Sequence, residues 1–351
     1  MRCHVLIAAS LLLLPVKAQI CLAEEKARGL DIYFIDTEGG AATLIVSPTG
    51  ESVLIDCGNP GPRDAERIHD VANKQAGLKT IDHLIITHWH SDHYGGVERL
   101  AKLMPIKEFY DRGIPKELAD DPTNFPLLIE AYKKATEGKS HQLKPGDEVP
   151  FKQVKDGSTP RLACLCGSGE VVADLAGSQN NKIAKEHRPQ AEDKSDNARS
   201  LGFLLSYGDF RFLDLGDLTW NIEYKLVHPT DKIGPVDVYQ VTHHGLEISN
   251  NPVLLKTVSP RVAIFNNGPH KGGSPAVTAN LRRLPDIQAI YQMHKNLDVA
   301  SQENADDEFI ANAEEKCAGN FIKLAVAPDS KSYTVTVGAK DKPKSYKTRD
   351  K

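Results

Sequence analysis

Apolar residues along this chain come in short runs separated by glycine, proline and acidic turns. The runs DIYFIDT at 31–37 and ATLIVS at 42–47 read as strands joined by the turn Glu38-Gly39-Gly40. A second turn, Pro48-Thr49-Gly50, leads into SVLIDCG at 52–58, an apolar strand that ends on Asp56 and a glycine. Residues 62–77 carry apolar side chains at helical spacing. IDHLIITH at 81–88 is nearly continuous in apolar residues, the pattern of a strand buried on both faces. GGVERLAKLM at 95–104 returns to a helical period. Helical pieces (Leu127 to Thr136) and turns fill 115–148, and 160–174 suggest a further pair of strands. Residues 177–198 are polar and without period, which predicts a mobile loop.

The pattern then restarts. SLGFLLSYGDFRFLDLGD at 200–217 is a hairpin around Tyr207-Gly208-Asp209, and DVYQVTHHG at 237–245 is a strand running into two histidines. RVAIFNN at 261–267 reads as a strand, PAVTANLRRL at 275–284 as a helix opened by proline, and FIKLAVAPDSKSYTVTV at 321–337 as a closing hairpin. Two halves of strands followed by helices fit a sheet-on-sheet core flanked by helices, an α+β architecture. No linker divides them, so residues 24–338 are expected to form one domain, with 339–351 a basic, disordered tail.

The N-terminus changes the expected compartment. Arg2 precedes an apolar run from Val5 to Leu14, too short for a membrane helix, and small residues follow. This is the order of a secretory signal peptide covering 1–23, so the mature chain is expected to be exported, periplasmic or secreted, with no membrane span. Loss of that segment removes Arg2 and Lys17 and takes the formal charge from −4 to −6. A mildly acidic protein has no general pull toward nucleic acid, which disfavours such a partner relative to a small-molecule or ester substrate. Cys57, Cys164, Cys166 and Cys317 remain, read mainly as buried thiols, with a disulfide as the alternative.

The chemistry is concentrated in THWHSDH at 87–93. His88, His90, Asp92 and His93 directly follow a buried strand, and their imidazole and carboxylate donors suit zinc and related ions. Four such residues in six positions exceed what one ion accepts from so short a loop. His88 with His90 is therefore expected to serve one ion, and Asp92 with His93 a neighbour. Gly95 and Gly96 let the backbone turn close to the site. Read alone, Asp217 is a hairpin aspartate or a ligand, His243 and His244 a surface pair or ligands, and Asp214 a supporting or surface residue. His270 and Lys271 sit in a glycine-rich loop whose plain reading is structural; His294, Trp89 and Tyr94 are read as packing.

The H-x-H-x-D-H pattern after an apolar strand and threonine resembles the metallo-β-lactamase superfamily. The stretches DIYFIDTEGGAATLIV, SVLIDCG, NARSLGFLLSYGDFRFLDLGD and DVYQVTHHG are similar to the stand-alone relatives of the ComEC/Rec2 metallohydrolases. The resemblance implies an αββα four-layer sandwich holding two divalent metal ions, zinc first, with manganese or iron as alternatives. It implies His88, His90, Asp92, His93, Asp217 and His244 as metal ligands, Asp217 bridging the pair. Asp56 would orient a ligand, and Asp92 and His243 would be the catalytic groups, His243 contacting substrate. The implied reaction is hydrolysis by a hydroxide shared between the ions, on a phosphodiester or related ester.

Two departures bear on this. A histidine ligand common in the superfamily is replaced within SDNARS, leaving Asn197 or Asp196 at that place. The GQGDA opening of the ComEC group is here Glu38-Gly39-Gly40-Ala41-Ala42, without its acidic residue. Rival readings are a lactone or β-lactam hydrolase, a mononuclear iron persulfide dioxygenase, and a metal-binding module without turnover.

Overall fold

The computed structural model describes residues 28–155, 157–174, 180–338 and 342–350. The leader-like segment 1–23 lies outside the described residues. Among those described, no helix is long and apolar enough to cross a membrane.

Among the described residues the strands fall into two nine-stranded sheets. In the first, Leu30–Phe34 is flanked on one side by Ile322–Val326, Ser332–Val337 and Lys344–Lys347, and on the other by Thr43–Val46, Ser52–Ile55, Ile81–Ile85, Ile106–Asp111 and His141–Gln142. The second runs Ile310–Asn312, Ala289–His294, Val262–Phe265, Val238–Gln240, Phe210–Asp214, Gly202–Tyr207, Arg161–Gly167 and Glu148–Val149, with Glu170–Val171 paired to Arg161–Gly167.

Alternation along the strands sets the layers, because successive side chains point to opposite faces. Ile32 and Phe34 join Ile45, Val53, Ile55, Phe203, Leu205, Phe212 and Ile264 in a core between the sheets. Tyr33, Leu44, Leu54 and Leu84 face outward onto the helices Pro62–Asp70, Val97–Leu103 and Phe125–Ala135. Leu213, Tyr239 and Ala263 pack the same way against Trp220–Lys225, Pro252–Val258 and Pro275–Arg282. The architecture is therefore helix, sheet, sheet, helix. The near-continuous apolar runs at 52–55, 81–85 and 262–265 are the strands covered on both faces, as expected for parallel strands.

Parallel pairing decides where the chemistry gathers. Ser52–Ile55, Ile81–Ile85 and Ile106–Asp111 are parallel, as are Phe210–Asp214, Val238–Gln240, Val262–Phe265 and Ala289–His294. Parallel strands deliver all their carboxyl ends to one edge, where sites in such sheets form. Asp56, THWHSDH, Asp217, HHG and the loop carrying Lys271 each follow one of these ends.

Two segments differ from the sequence expectation. The stretch read as a disordered tail contributes the edge strand Lys344–Lys347, antiparallel to Ser332–Val337. Tyr346 is buried, stacks on Tyr333 and shares a 2.7 Å hydrogen bond with the Tyr291 hydroxyl. Arg349 pairs with Asp286 at 3.1 Å. One buried tyrosine among exposed lysines is too sparse a pattern to read as a strand, and lysines are what an edge strand tolerates. The polar stretch 177–198 contains the short turns Lys182–Glu186 and Asp196–Arg199, the second buried at Asp196, Asn197 and Ala198. Its anchors are polar side chains, which carry no periodicity.

The core between the sheets depends on interdigitated aromatics such as Phe34 and Phe212, whose rings meet edge to face at 5.7 Å. Phe212→Ala is expected to cost about 3–5 kcal/mol of unfolding free energy, measured by the denaturant midpoint at unchanged slope.

Candidate metal centre

The ligand loop is held from below by Asp56. Its backbone turns through φ 60°. Its carboxylate accepts from Thr87 N at 2.8 Å and Thr87 Oγ1 at 2.7 Å, and lies 2.7 Å from His93 Nδ1. Backbone bonds stitch the neighbouring loops together: Cys57 N to His93 O, Leu201 N to Thr87 O and His243 N to Gly216 O. Gly96 is required by space, since a Cβ there would lie 2.1 Å from Cys57 O.

These bonds fix which imidazole nitrogen faces the centre. Thr87 Oγ1 gives its proton to Asp56, so it accepts from His88 Nδ1 at 3.1 Å. His93 donates through Nδ1 to Asp56. Both rings therefore present Nε2 inward. His90 is reversed: its Nε2 meets Asp120 Oδ2 at 2.8 Å, and its Nδ1 lies 3.1 Å from His88 Nε2. That separation is close to the ~3.3 Å between two nitrogens bound at about 2.0–2.1 Å to one tetrahedral ion.

Asp217 stands at the middle. Its Oδ2 is 3.2 Å from His93 Nε2, 3.2 Å from His244 Nε2 and 3.4 Å from His243 Nε2. Asp92 Oδ2 is 3.4 Å from His244 Nε2 and 3.7 Å from His93 Nε2. Two overlapping groups could each hold a metal: His88, His93 and Asp217, and Asp92, His93 and His244. His93 belongs to both, where the sequence paired it with Asp92 alone. His244 rather than His243 joins Asp92 and His93.

The donor set fits metal ions on a direct observation. His93 Nε2, both nitrogens of His244 and Asp217 Oδ1 are buried without a hydrogen-bond partner. Buried polar atoms without a well-formed hydrogen bond are costly, and here both Nε2 atoms lie 3.2 Å from Asp217 Oδ2.

Protonation follows the same geometry. Burial opposes charge on His93, but Asp217, Asp56 and Asp92 hold its imidazolium well above the ordinary range. Burial, with His93 nearby, pushes His88 well below it. Burial opposes charge on Asp217 and Asp92, yet both stay well below the usual carboxylate range because His93 and His244, and Lys271 at Asp92, face them. Burial lowers His243 to about 4.

The two replacements for the missing histidine separate. Asp196 is engaged with Arg112 and accepts from Trp89 N at 2.7 Å, so it supports the loop. Asn197 borders the centre, its Nδ2 3.3 Å from His243 Nε2 and its Oδ1 buried without a partner. Asp214 is buried and accepts from Gly216 N at 3.0 Å, shaping the turn before Asp217. Trp89 and Tyr94 are fully buried and pack edge to face. His294 binds Asp36, which also takes Arg67 at 3.0 Å, so that cluster is an ion-pair knot. The four cysteines are free thiols. Asp120, Arg112 and Ser249 gave no sequence signal, because ordinary polar residues become partners only through the fold. Lys271 was visible but unremarkable; its amine pairs with Asp92.

Parts of the chain are similar to known proteins. Residues 35–163 match the family model described as Metallo-beta-lactamase superfamily. The chain is 26% identical over 193 residues to "ComE operon protein 3" of Bacillus subtilis (strain 168), covering 55% of this chain and 20% of that protein. It is 36% identical over 66 residues to "Lactamase-like protein notP" of Aspergillus sp. (strain MF297-2), 19% of this chain and 20% of that one. It is 35% identical over 82 residues to "Ribonuclease Z" of Clostridium tetani (strain Massachusetts / E88), 21% and 24% of the two chains. The chain spans about a fifth of the length of the curated relatives it matches.

Two outcomes are expected. Asp56→Asn frees the His93 ring and should weaken metal binding about 10–100-fold by competition with a chelating dye. The surrounding carboxylates strengthen His93's hold on its proton, and Nε2 must lose that proton to bind a metal. Affinity should therefore rise with pH, with proton release on loading, measured by calorimetry in buffers of different ionisation enthalpy.

Proposed function

We propose that this protein is an exported, metal-dependent hydrolase of the metallo-β-lactamase fold acting on a phosphodiester or related ester. The reading rests on one observation: buried His93 Nε2, His244 Nε2 and the Asp217 carboxylate, without well-formed hydrogen bonds at His93 Nε2, His244 Nε2 and Asp217 Oδ1, gather beside Asp92 and His88. His88 and Asp217, with His90, would hold one ion and Asp92 and His244 the other, with His93 within reach of both groups. Bound zinc would supply a hydroxide at neutral pH and an electrophile for the scissile group. The apolar run at Val5–Leu14 and the small residues after it support export. The relative named Ribonuclease Z supports a phosphodiester as the bond cleaved, while the acidic composition favours a small ester over a nucleic acid.

The protein's own groups divide the remaining work. Asp56 and Thr87 keep the rings of His93 and His88 in the required tautomer. Ser249 Oγ donates to Leu218 O at 2.8 Å, so it accepts from His243 Nδ1 at 3.1 Å. His243 Nε2 thus carries the lone pair, which faces Asn197 Nδ2 at 3.3 Å beside Asp217. His243 would accordingly act at Nε2 as a proton acceptor rather than as a donor at the outset.

The test is zinc content and turnover of bis(p-nitrophenyl) phosphate, a lactone and nitrocefin by the metal-loaded chain. About two zincs per chain with phosphodiester turnover is expected, and Asp217→Asn should lose both. A single iron per chain without hydrolysis, or two bound metals with no turnover of any substrate, would overturn the assignment.

A further inference from the structure

We propose that Lys271 is the anion-recognition residue of this centre. The substrate would then carry a fixed negative charge, phosphate or carboxylate, beside the bond that is cleaved. The proposal rests on the hydrolase reading and adds the substrate's charge to it.

Lys271 is held rigidly at the rim. Its loop follows the strand Val262–Phe265 and is bonded to the histidine turn by Gly273 N to His244 O at 2.8 Å and Ser274 N to Gly245 O at 3.0 Å. Gly268 N to Lys271 O closes the loop at 2.8 Å, and Asn296 Nδ2 donates to Gly272 O at 2.9 Å. The fit against the centre is tight: a Cβ on Gly272, at φ +76°, would lie 2.1 Å from His244 O. The backbone of this loop is therefore pinned beside the histidine turn.

The amine pairs with Asp92 Oδ2, yet the side chain is 41% exposed, so it stands between the ligands and solvent. Asp92 is its ion-pair partner among the described residues. The nearest acidic turn does not supply another: Glu38 is taken by Arg63 at 2.5 Å and Arg67 at 3.0 Å. His270, one residue away, faces Asp298 at 2.8 Å.

Loading the centre changes this balance. A divalent ion held by Asp92 would compete for the carboxylate that Lys271 now pairs with, and like charges a few ångströms apart repel. Two divalent ions would outweigh the carboxylates of Asp56, Asp92 and Asp217 by one charge before any hydroxide is bound, and Lys271 would add to that field. An ammonium fixed at such a rim recovers a partner only from an anion that enters with the substrate. An ammonium is a point charge, so it accepts either a phosphate or a carboxylate oxygen.

The experiment compares the zinc-loaded full chain with Lys271→Gln and Lys271→Arg, with zinc content verified for each. Inorganic phosphate binding is measured by calorimetry. KM and kcat are measured on neutral p-nitrophenyl acetate, carboxylate-bearing mono-p-nitrophenyl succinate and bis(p-nitrophenyl) phosphate. Lys271→Gln should weaken phosphate binding about 10–100-fold and lower selectivity for anionic over neutral esters by a similar factor through KM, with partial rescue by arginine. The two anionic esters separate a phosphate from a carboxylate preference. Unchanged phosphate affinity, or equal losses on neutral and anionic esters, would overturn the proposal and reduce Lys271 to a counter-charge for Asp92. If the wild type hydrolyses no ester, the hydrolase reading fails, while the phosphate titration still decides whether Lys271 recognises an anion.

Discussion

Asp56 is buried among apolar strands, and a carboxylate there must be satisfied by its neighbours or lose its charge. Thr87 supplies two donors and His93 a third, and all three come from the loop after the adjacent parallel strand. The consequence reaches beyond Asp56. With Thr87 Oγ1 committed to Asp56, His88 is left with one tautomer, and His93 is aimed at Asp217. One satisfied carboxylate thus sets the orientation of the first ligand loop, which the second sheet then completes.

That completion comes with local strain. Asp56, His243 and His244 all have positive φ, at 60°, 55° and 54°, a conformation that costs about 1–3 kcal/mol at a non-glycine residue. The strain lies where strands end and side chains must reverse direction to meet across the sandwich. The loops can sustain it because the backbone bonds from Cys57 to His93 and from His243 to Gly216 hold them in register. Beneath them, Glu223 accepts from Asn250 N at 3.0 Å and Asn251 N at 2.7 Å, bracing the segment that carries Ser249.

Much of this was legible along the chain. The apolar runs between 31 and 337 correspond to strands and helices, because burial on one or both faces imposes a period on sequence. THWHSDH identified itself because all its donors come from one loop. What did not show was every contact made by a polar residue across the fold. Asp120 grips His90 from 30 residues away, and Arg112 meets Asp196 across 84. Tyr346 turned a basic tail into an edge strand through one buried ring.

The sequence by itself determined the layers, the ligand loop and the chemical type of its donors, since hydrophobic period and local spacing are properties of neighbours in the chain. Only the tertiary structure decided how those donors are shared. It placed His93 in both candidate metal-holding groups, moved Asn197 to the centre and Asp196 away from it, and set Lys271 over Asp92. These are distances between loops that follow different strands. They depend on two sheets packing face to face with their carboxyl ends at one rim, which no single stretch of residues encodes.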